Sequence, residues 1–263
     1  MNETPCRLLA DDEPAPVTVY NEGGRSPFLI VVDHASNLIP RALDRLGLPE
    51  EECARHIAWD IGVVGVSRLL ADALDATLVQ QNYSRLVIDC NRPSSSESAI
   101  PQISEATPIP GNVGLSAQLK AERASEIFKP YHDRIAAELD RRRQAGEEAV
   151  LIAMHSFTPV YMGNARPWHA GVLYNRDRRL AEILLALMRR EEGLVIGDNE
   201  PYSVSDLTDY TIPVHGEGRG LLHAEIEIRQ DLIGDARGQQ AWAARFAHWL
   251  PRALQLLEVV ETG

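Results

Sequence analysis

Two apolar runs in this chain each end in a histidine: Phe28-Leu-Ile-Val-Val-Asp-His34 and Ala149-Val-Leu-Ile-Ala-Met-His155. A short run of Val, Ile and Leu bounded by turn residues reads as a strand buried on both faces. Open α/β sheets bind ligands at the carboxyl ends of their strands. Two imidazoles delivered to that edge by separate strands suit a metal ion, although each alone is equally well explained as a satisfied strand-end residue. A catalytic metal site usually has three protein ligands and leaves a fourth position for water. Two residues compete for the third place. Asn37 stands three residues after His34, but a neutral amide is a poor zinc ligand. Asp60, in Ala58-Trp-Asp60-Ile-Gly, is a lone acid between an aromatic residue and an apolar helix, a place that disfavours an unpaired charge. It also stands where an N-cap is expected, and its two oxygens allow both roles.

Two more constellations carry chemistry. In Asn82-Tyr-Ser-Arg85-Leu-Val-Ile-Asp89-Cys-Asn91-Arg92-Pro, two arginines and an amide flank a short apolar run. Arginine grips carboxylates through its planar fork. Asp89 is expected to pair with one arginine, which leaves the other, with Asn91, for an anionic substrate; the structural alternative is an ion pair at a sheet edge. In His223-Ala-Glu225-Ile-Glu227-Ile-Arg229, strand alternation puts His223, Glu225, Glu227 and Arg229 on one face and the apolar residues on the other. A half-exposed strand with a salt-bridge ladder would look the same. Hydrolysis at a metal needs a general base outside the metal's ligands, usually a carboxylate. Glu227, nearest the end of the run, is the expected base, with Glu225 in reserve.

Smaller signals complete the set. Tyr202, in a polar turn after a strand, is placed to hydrogen-bond substrate. His215, in the glycine-rich stretch 213–220, is either a site residue or an ordinary loop histidine. That stretch lacks the P-loop order, and no GxGxxG follows a strand. Without a GxSxG elbow, Ser36 and Ser156 read as polar neighbours and not nucleophiles.

The elements that must position these residues alternate between strand and helix. Strands are expected at 28–33, 77–80, 86–89, 150–154, 171–174, 194–196 and 221–228. Helices are expected at 61–74, 116–145 (kinked or split by Pro130), 178–191 and 239–259. Residues 93–114 form a long Ser-, Pro- and Gly-rich loop of the kind that is often functional. Residues 1–25 read as a mobile or loosely packed arm, with a single α/β domain over 26–263 built on a mixed, mostly parallel sheet flanked by helices. A hydrophobic fraction of 44% supports a substantial core. A net charge of −12 argues against binding nucleic acid through its phosphates. No apolar run is long enough to span a membrane. Cys6, Cys53 and Cys90 show no motif spacing, so reduced thiols in the cytoplasm are expected.

Taken in order, His34-Ala-Ser-Asn-x-Ile-Pro40, Asp60, Tyr83-Ser-Arg85-x-x-x-Asp89-x-Asn91-Arg92-Pro93, Pro130-Tyr-His132-Asp, His155-Ser and Glu227-Ile-Arg resemble the N-formylglutamate amidohydrolase family, over about residues 28–255. The resemblance implies a hydrolase fold akin to the zinc carboxypeptidase and aspartoacylase group. It implies zinc on His34, Asp60 and His155, and Glu227 as base and then proton donor. Arg85, Asn91 and Arg92 would hold an acidic N-acyl amino acid, and His215 falls near the site. The implied reaction is hydrolysis of N-formyl-L-glutamate to formate and glutamate, which fits histidine breakdown. Asn37 departs from the metal-binding glutamate of the wider group. Two other functions stay open: a carboxypeptidase-like or amidase activity on a larger peptide, with 93–114 as lid or rim, and a metal-free module that binds acidic metabolites.

Overall fold

The computed structural model describes residues 7–262. Seven strands form one sheet: β1 (Val17–Tyr20), β2 (Phe28–Val32), β3 (Thr77–Gln81), β4 (Val150–Phe157), β5 (Ala170–Leu173), β6 (Ile196–Asp198) and β7 (Leu222–Arg229). Their order is β1-β3-β2-β4-β7-β5-β6. The central strands β3, β2, β4 and β7 run parallel. β1 and β5 run antiparallel to their neighbours β3 and β7, and β6 is parallel to β5. The expected mixed, mostly parallel α/β sheet is therefore present.

Because β2, β4 and β7 are buried on both faces, their side chains build two cores. Phe28, Ile30, Val32, Ile152, Met154, Ala224 and Ile226 pack beneath helices α1 (Val63–Leu74), α4 (Arg179–Met188) and α5 (Ala236–Thr262). Leu29, Val31, Leu151 and Ala153 face the opposite layer, where α2 (Ala117–Arg123) and α3 (Lys129–Ala145) lie. A π-helical turn over 124–128 joins α2 to α3, so Pro130 falls in the first turn of α3, where its missing N–H is harmless.

Two expectations are corrected. Residues 86–89 are turn and irregular backbone and not a strand. Ser84 takes the amides of Leu86 and Val87, and the Asp89 amide goes to the Ala99 carbonyl. The run is apolar because Leu86, Val87 and Ile88 plug the second core, and periodicity cannot separate a buried turn from a buried strand. The segment read as an arm is packed. β1 closes the sheet edge, and Leu8 and Leu9 are buried with both amides held by the Glu126 carboxylate. Residues 1–6, including Cys6, lie outside the described residues; Cys53 and Cys90 are free and buried.

Candidate metal centre and active site

Parallel pairing brings the carboxyl ends of β2, β4 and β7 to one edge of the sheet. His34 follows β2 by two residues. His155 lies near the end of β4, in register with Glu227 of β7. Asp60 sits on the turn into α1, its amide fixed by the His34 carbonyl at 2.9 Å. Gly62 makes that turn possible. Its φ is +81°, and a Cβ there would stand 2.2 Å from the Ile233 carbonyl oxygen. The helix has no side-chain cap, so Asp60 is not the N-cap that its position suggests. Its carboxylate turns inward instead.

His34, Asp60 and His155 are buried, and one donor atom from each lies within 4.8 Å of the others. Both imidazoles turn Nδ1 toward the same oxygen, Asp60 Oδ2, at 2.9 Å from His155 and 3.4 Å from His34. Both turn Nε2 toward another carboxylate. His34 donates to Asp89 at 2.7 Å, and His155 faces Asp33 at 3.2 Å. Carboxylates behind histidines in this way fix ring orientation at metal sites. Burial alone would raise the Asp60 pKa, but His34 and His155 hold it well below the usual carboxylate range. Burial likewise opposes charge on His155, yet Glu225, Asp33 and Asp60 keep it protonated to well above the usual histidine range. Asp33, despite full burial, is held at about 2 by His155. Two imidazoles that hold protons here, where positive charge is favoured, and an ionised carboxylate are a donor set that fits a divalent transition metal.

Asn37 is not part of this cluster. Its amide donates to the Cys53 carbonyl at 3.0 Å, so Asp60 stands beside the imidazoles and Asn37 does not.

The cluster opens into a cavity of about 580 Å³, whose wall includes Arg85, Asn91, Arg92, Tyr202, Glu225 and Glu227. Arg85 pairs with Asp89 at 2.7 Å and approaches Asp60 at 3.5 Å. Arg92 pairs with Asp209 at 3.1 Å. Asn91 uses its oxygen to accept the amides of Tyr210 and Thr211 and directs its NH2 toward Glu225 and Asp209. No salt-bridge ladder runs along β7, because Glu225 and Glu227 are buried. Burial raises Glu225 to about 7 and Glu227 to about 8, against the pull of His155. Glu227 Oε2 has no hydrogen-bond partner. Residues 98–105 of the long loop supply the facing rim, part of it a hairpin at 103–108.

His215 stands apart from the other expected site residues. It does not line the cavity. A π-helical turn over 212–216 buries it in a stack on His132, with ring centroids 5.2 Å apart and Nε2 3.0 Å from His132 Nδ1. The glycine-rich stretch folds into this turn and a 3-10 turn. Sequence reasoning missed Asp33 and Asp209, which face His155 and Arg92, and Arg166, whose guanidinium packs on the ring of Tyr202 in the wall. Asp33 was visible as an acid ending an apolar strand one residue before His34. Asp209 and Arg166 lie in irregular segments with no periodicity to reveal them.

The comparisons agree with this architecture. The N-formylglutamate amidohydrolase family model matches residues 26–234. The chain is 30% identical over 243 residues to an N-formylglutamate deformylase of Pseudomonas aeruginosa, covering 85% of this chain and 88% of that protein. It is similar to a crystal structure of an Agrobacterium tumefaciens gene product, with a TM-score of 0.93 and 39% identity, covering 96% of this chain and 100% of that one. An N-formylglutamate amidohydrolase from Ralstonia eutropha shares the fold, with a TM-score of 0.61 at 16% identity, over 91% of this chain and 99% of that one. On these matches the chain belongs to the N-formylglutamate amidohydrolase family and is a hydrolase that acts on an amide.

Proposed function

We propose that the protein is a zinc-dependent deformylase: N-formyl-L-glutamate and water give formate and L-glutamate. The observation that carries this reading is the His34–Asp60–His155 cluster facing Glu227 in one arginine-walled cavity. Zinc held by His34, Asp60 and His155 would supply Lewis acidity at the scissile carbonyl and the attacking water. Glu227, with a free oxygen at the cavity wall, takes the proton of the attacking water as the C–O bond forms, acting in its ionised form, which a divalent cation nearby would favour over the buried acid. It returns that proton to the nitrogen as the C–N bond breaks. Glu225, engaged with the Asn91 amide, is the poorer candidate for this step. Arg85, Asn91, Arg92 and Tyr202 contact the acidic substrate. His215, stacked on His132 away from the cavity wall, is not assigned a step at the reacting atoms. Asp60 supports this reading over a metal-free binding module, since it offers beside the imidazoles the carboxylate that Asn37 lacks.

No helix among the described residues is long and apolar enough to cross a membrane. We assign the activity to the cytoplasm and to histidine breakdown, in line with the free thiols. The test is formate release from N-formyl-L-glutamate by metal-stripped and zinc-loaded protein, alongside Glu227→Gln. Loading should restore activity, and Glu227→Gln should lower kcat by roughly 10²–10⁴-fold while retaining about one zinc per chain. Near-normal turnover in that variant removes Glu227 from the mechanism. Full activity after exhaustive stripping removes the metal.

A further inference from the structure

Two arginines line the cavity wall, and both already have acidic partners. Arg85 is held by Asp89 and Arg92 by Asp209. A third arginine, Arg166, packs against rings of that wall, is only 9% exposed and has no acidic partner among the described residues. Its Nη1 makes no hydrogen bond. The guanidinium lies 4.7 Å from the ring centres of both Tyr161 and Tyr202 and 5.7 Å from that of Phe157. All three rings line the cavity. The backbone beneath is fixed: the Arg166 amide donates to the Pro159 carbonyl at 2.9 Å, at the foot of the small hairpin over 160–165.

A buried cation without a counter-charge is unfavourable, and aromatic faces offset only part of that cost. The arrangement becomes favourable when an anion arrives. The rings leave room for this, since Tyr161 and Tyr202 are 40% and 45% exposed and can move without unpacking the core. Tyr202 lines the same cavity as Glu227 and Arg85, so the cation behind its ring borders the reaction centre's wall.

We infer that Arg166 binds the substrate's side-chain carboxylate and so sets the preference for acidic over neutral N-acyl amino acids. The α-carboxylate adjoins the scissile amide and falls to Arg85, the arginine that reaches toward Asp60. Arg166 approaches none of the cluster's carboxylates and is free for the anion farther from that amide. This inference rests on the deformylase reading above.

The test compares zinc-loaded wild type, Arg166→Met and Arg166→Lys on N-formyl-L-glutamate and N-formyl-L-glutamine, which differ in side-chain charge but little in shape. Arg166→Met should lower kcat/KM for the glutamate substrate by at least about tenfold, chiefly through KM, and leave the glutamine substrate within about threefold. Arg166→Lys should recover part of the loss, since it keeps the charge without the fork. Equal losses on both substrates, or no loss on either, overturn the assignment. Calorimetry with glutarate on metal-stripped protein gives an independent reading. Wild type should bind at least about tenfold more tightly than Arg166→Met, and indistinguishable binding overturns the inference. If glutarate discriminates but no formyl substrate is cleaved, the deformylase reading fails while the anion site stands.

Discussion

Each histidine of the cluster works through both of its nitrogens. Nδ1 is turned to Asp60 and Nε2 to a carboxylate behind it, Asp89 for His34 and Asp33 for His155. Asp33 is itself anchored, its other oxygen accepting the Thr211 hydroxyl at 2.7 Å. An imidazole backed this way is both oriented and made more basic, and losing such a partner typically lowers metal affinity by about 10–100-fold. Asp33→Asn should therefore weaken zinc binding by that factor while leaving the site's ligands in place. Chelator competition followed by a zinc-sensitive dye checks this. An affinity equal to wild type would show that His155 needs no such support.

At the scale of elements, the site depends on how strands end and how the chain turns after them. The Asp60 turn is the tightest case, because Gly62 has a left-handed backbone and the Ile233 carbonyl occupies the space of a Cβ. Gly62→Ala adds conformational strain and a backbone clash, a combination that costs more than about 1 kcal/mol. It should lower Tm and displace Asp60, so zinc retention should fall with stability. Thermal melts with metal analysis check both, and a stable variant with full zinc content would uncouple the turn from the site. The same dependence on turns explains what the sequence made legible. His34, Asp60, His155 and Glu227 could be found because each terminates or adjoins an apolar run, and runs announce strands and helices. Asp89 and Asn91 were found as a motif, although the run before them folds into turns. Arg166 and Asp209 could not be found, since long-range packing of irregular segments places them. His215 misled for the reverse reason: glycines around it suggested an open loop, whereas they allow the tight turns that bury it.

At the scale of the whole molecule, burial of so many titratable groups sets how stability responds to pH. His132 and His215 form a neutral chain. His132 Nε2 donates to the Cys90 carbonyl at 2.8 Å, which leaves its Nδ1 to accept from His215 Nε2. His215 Nδ1 is buried without a partner. Burial pushes His132 down to about 4 and His215 to about 3. The unfolded chain takes up these protons below about pH 6.5, and the native state refuses them until far lower pH. Their contribution to stability is therefore complete above pH 6.5 and declines as the pH falls, by about 1.4 kcal/mol per pH unit for each histidine. Glu225 and Glu227 act in the opposite sense. They hold protons up to about 7 and 8 that the unfolded chain releases near 4.5, so they add stability as the pH falls through that window. The opposing pairs nearly cancel between pH 4.5 and 6.5, and the wild-type profile alone hides both. A difference measurement separates them. His215→Leu leaves His132 Nδ1 without its donor and should be less stable at pH 7 by about 1–3 kcal/mol. It also removes one of the refused protons, so the gap to wild type should close by about 1.4 kcal/mol for each pH unit below 6.5. Urea unfolding of both metal-stripped proteins at pH 7, 6 and 5 measures that gap, and a gap that stays constant or widens would mean that His215 is charged inside the fold.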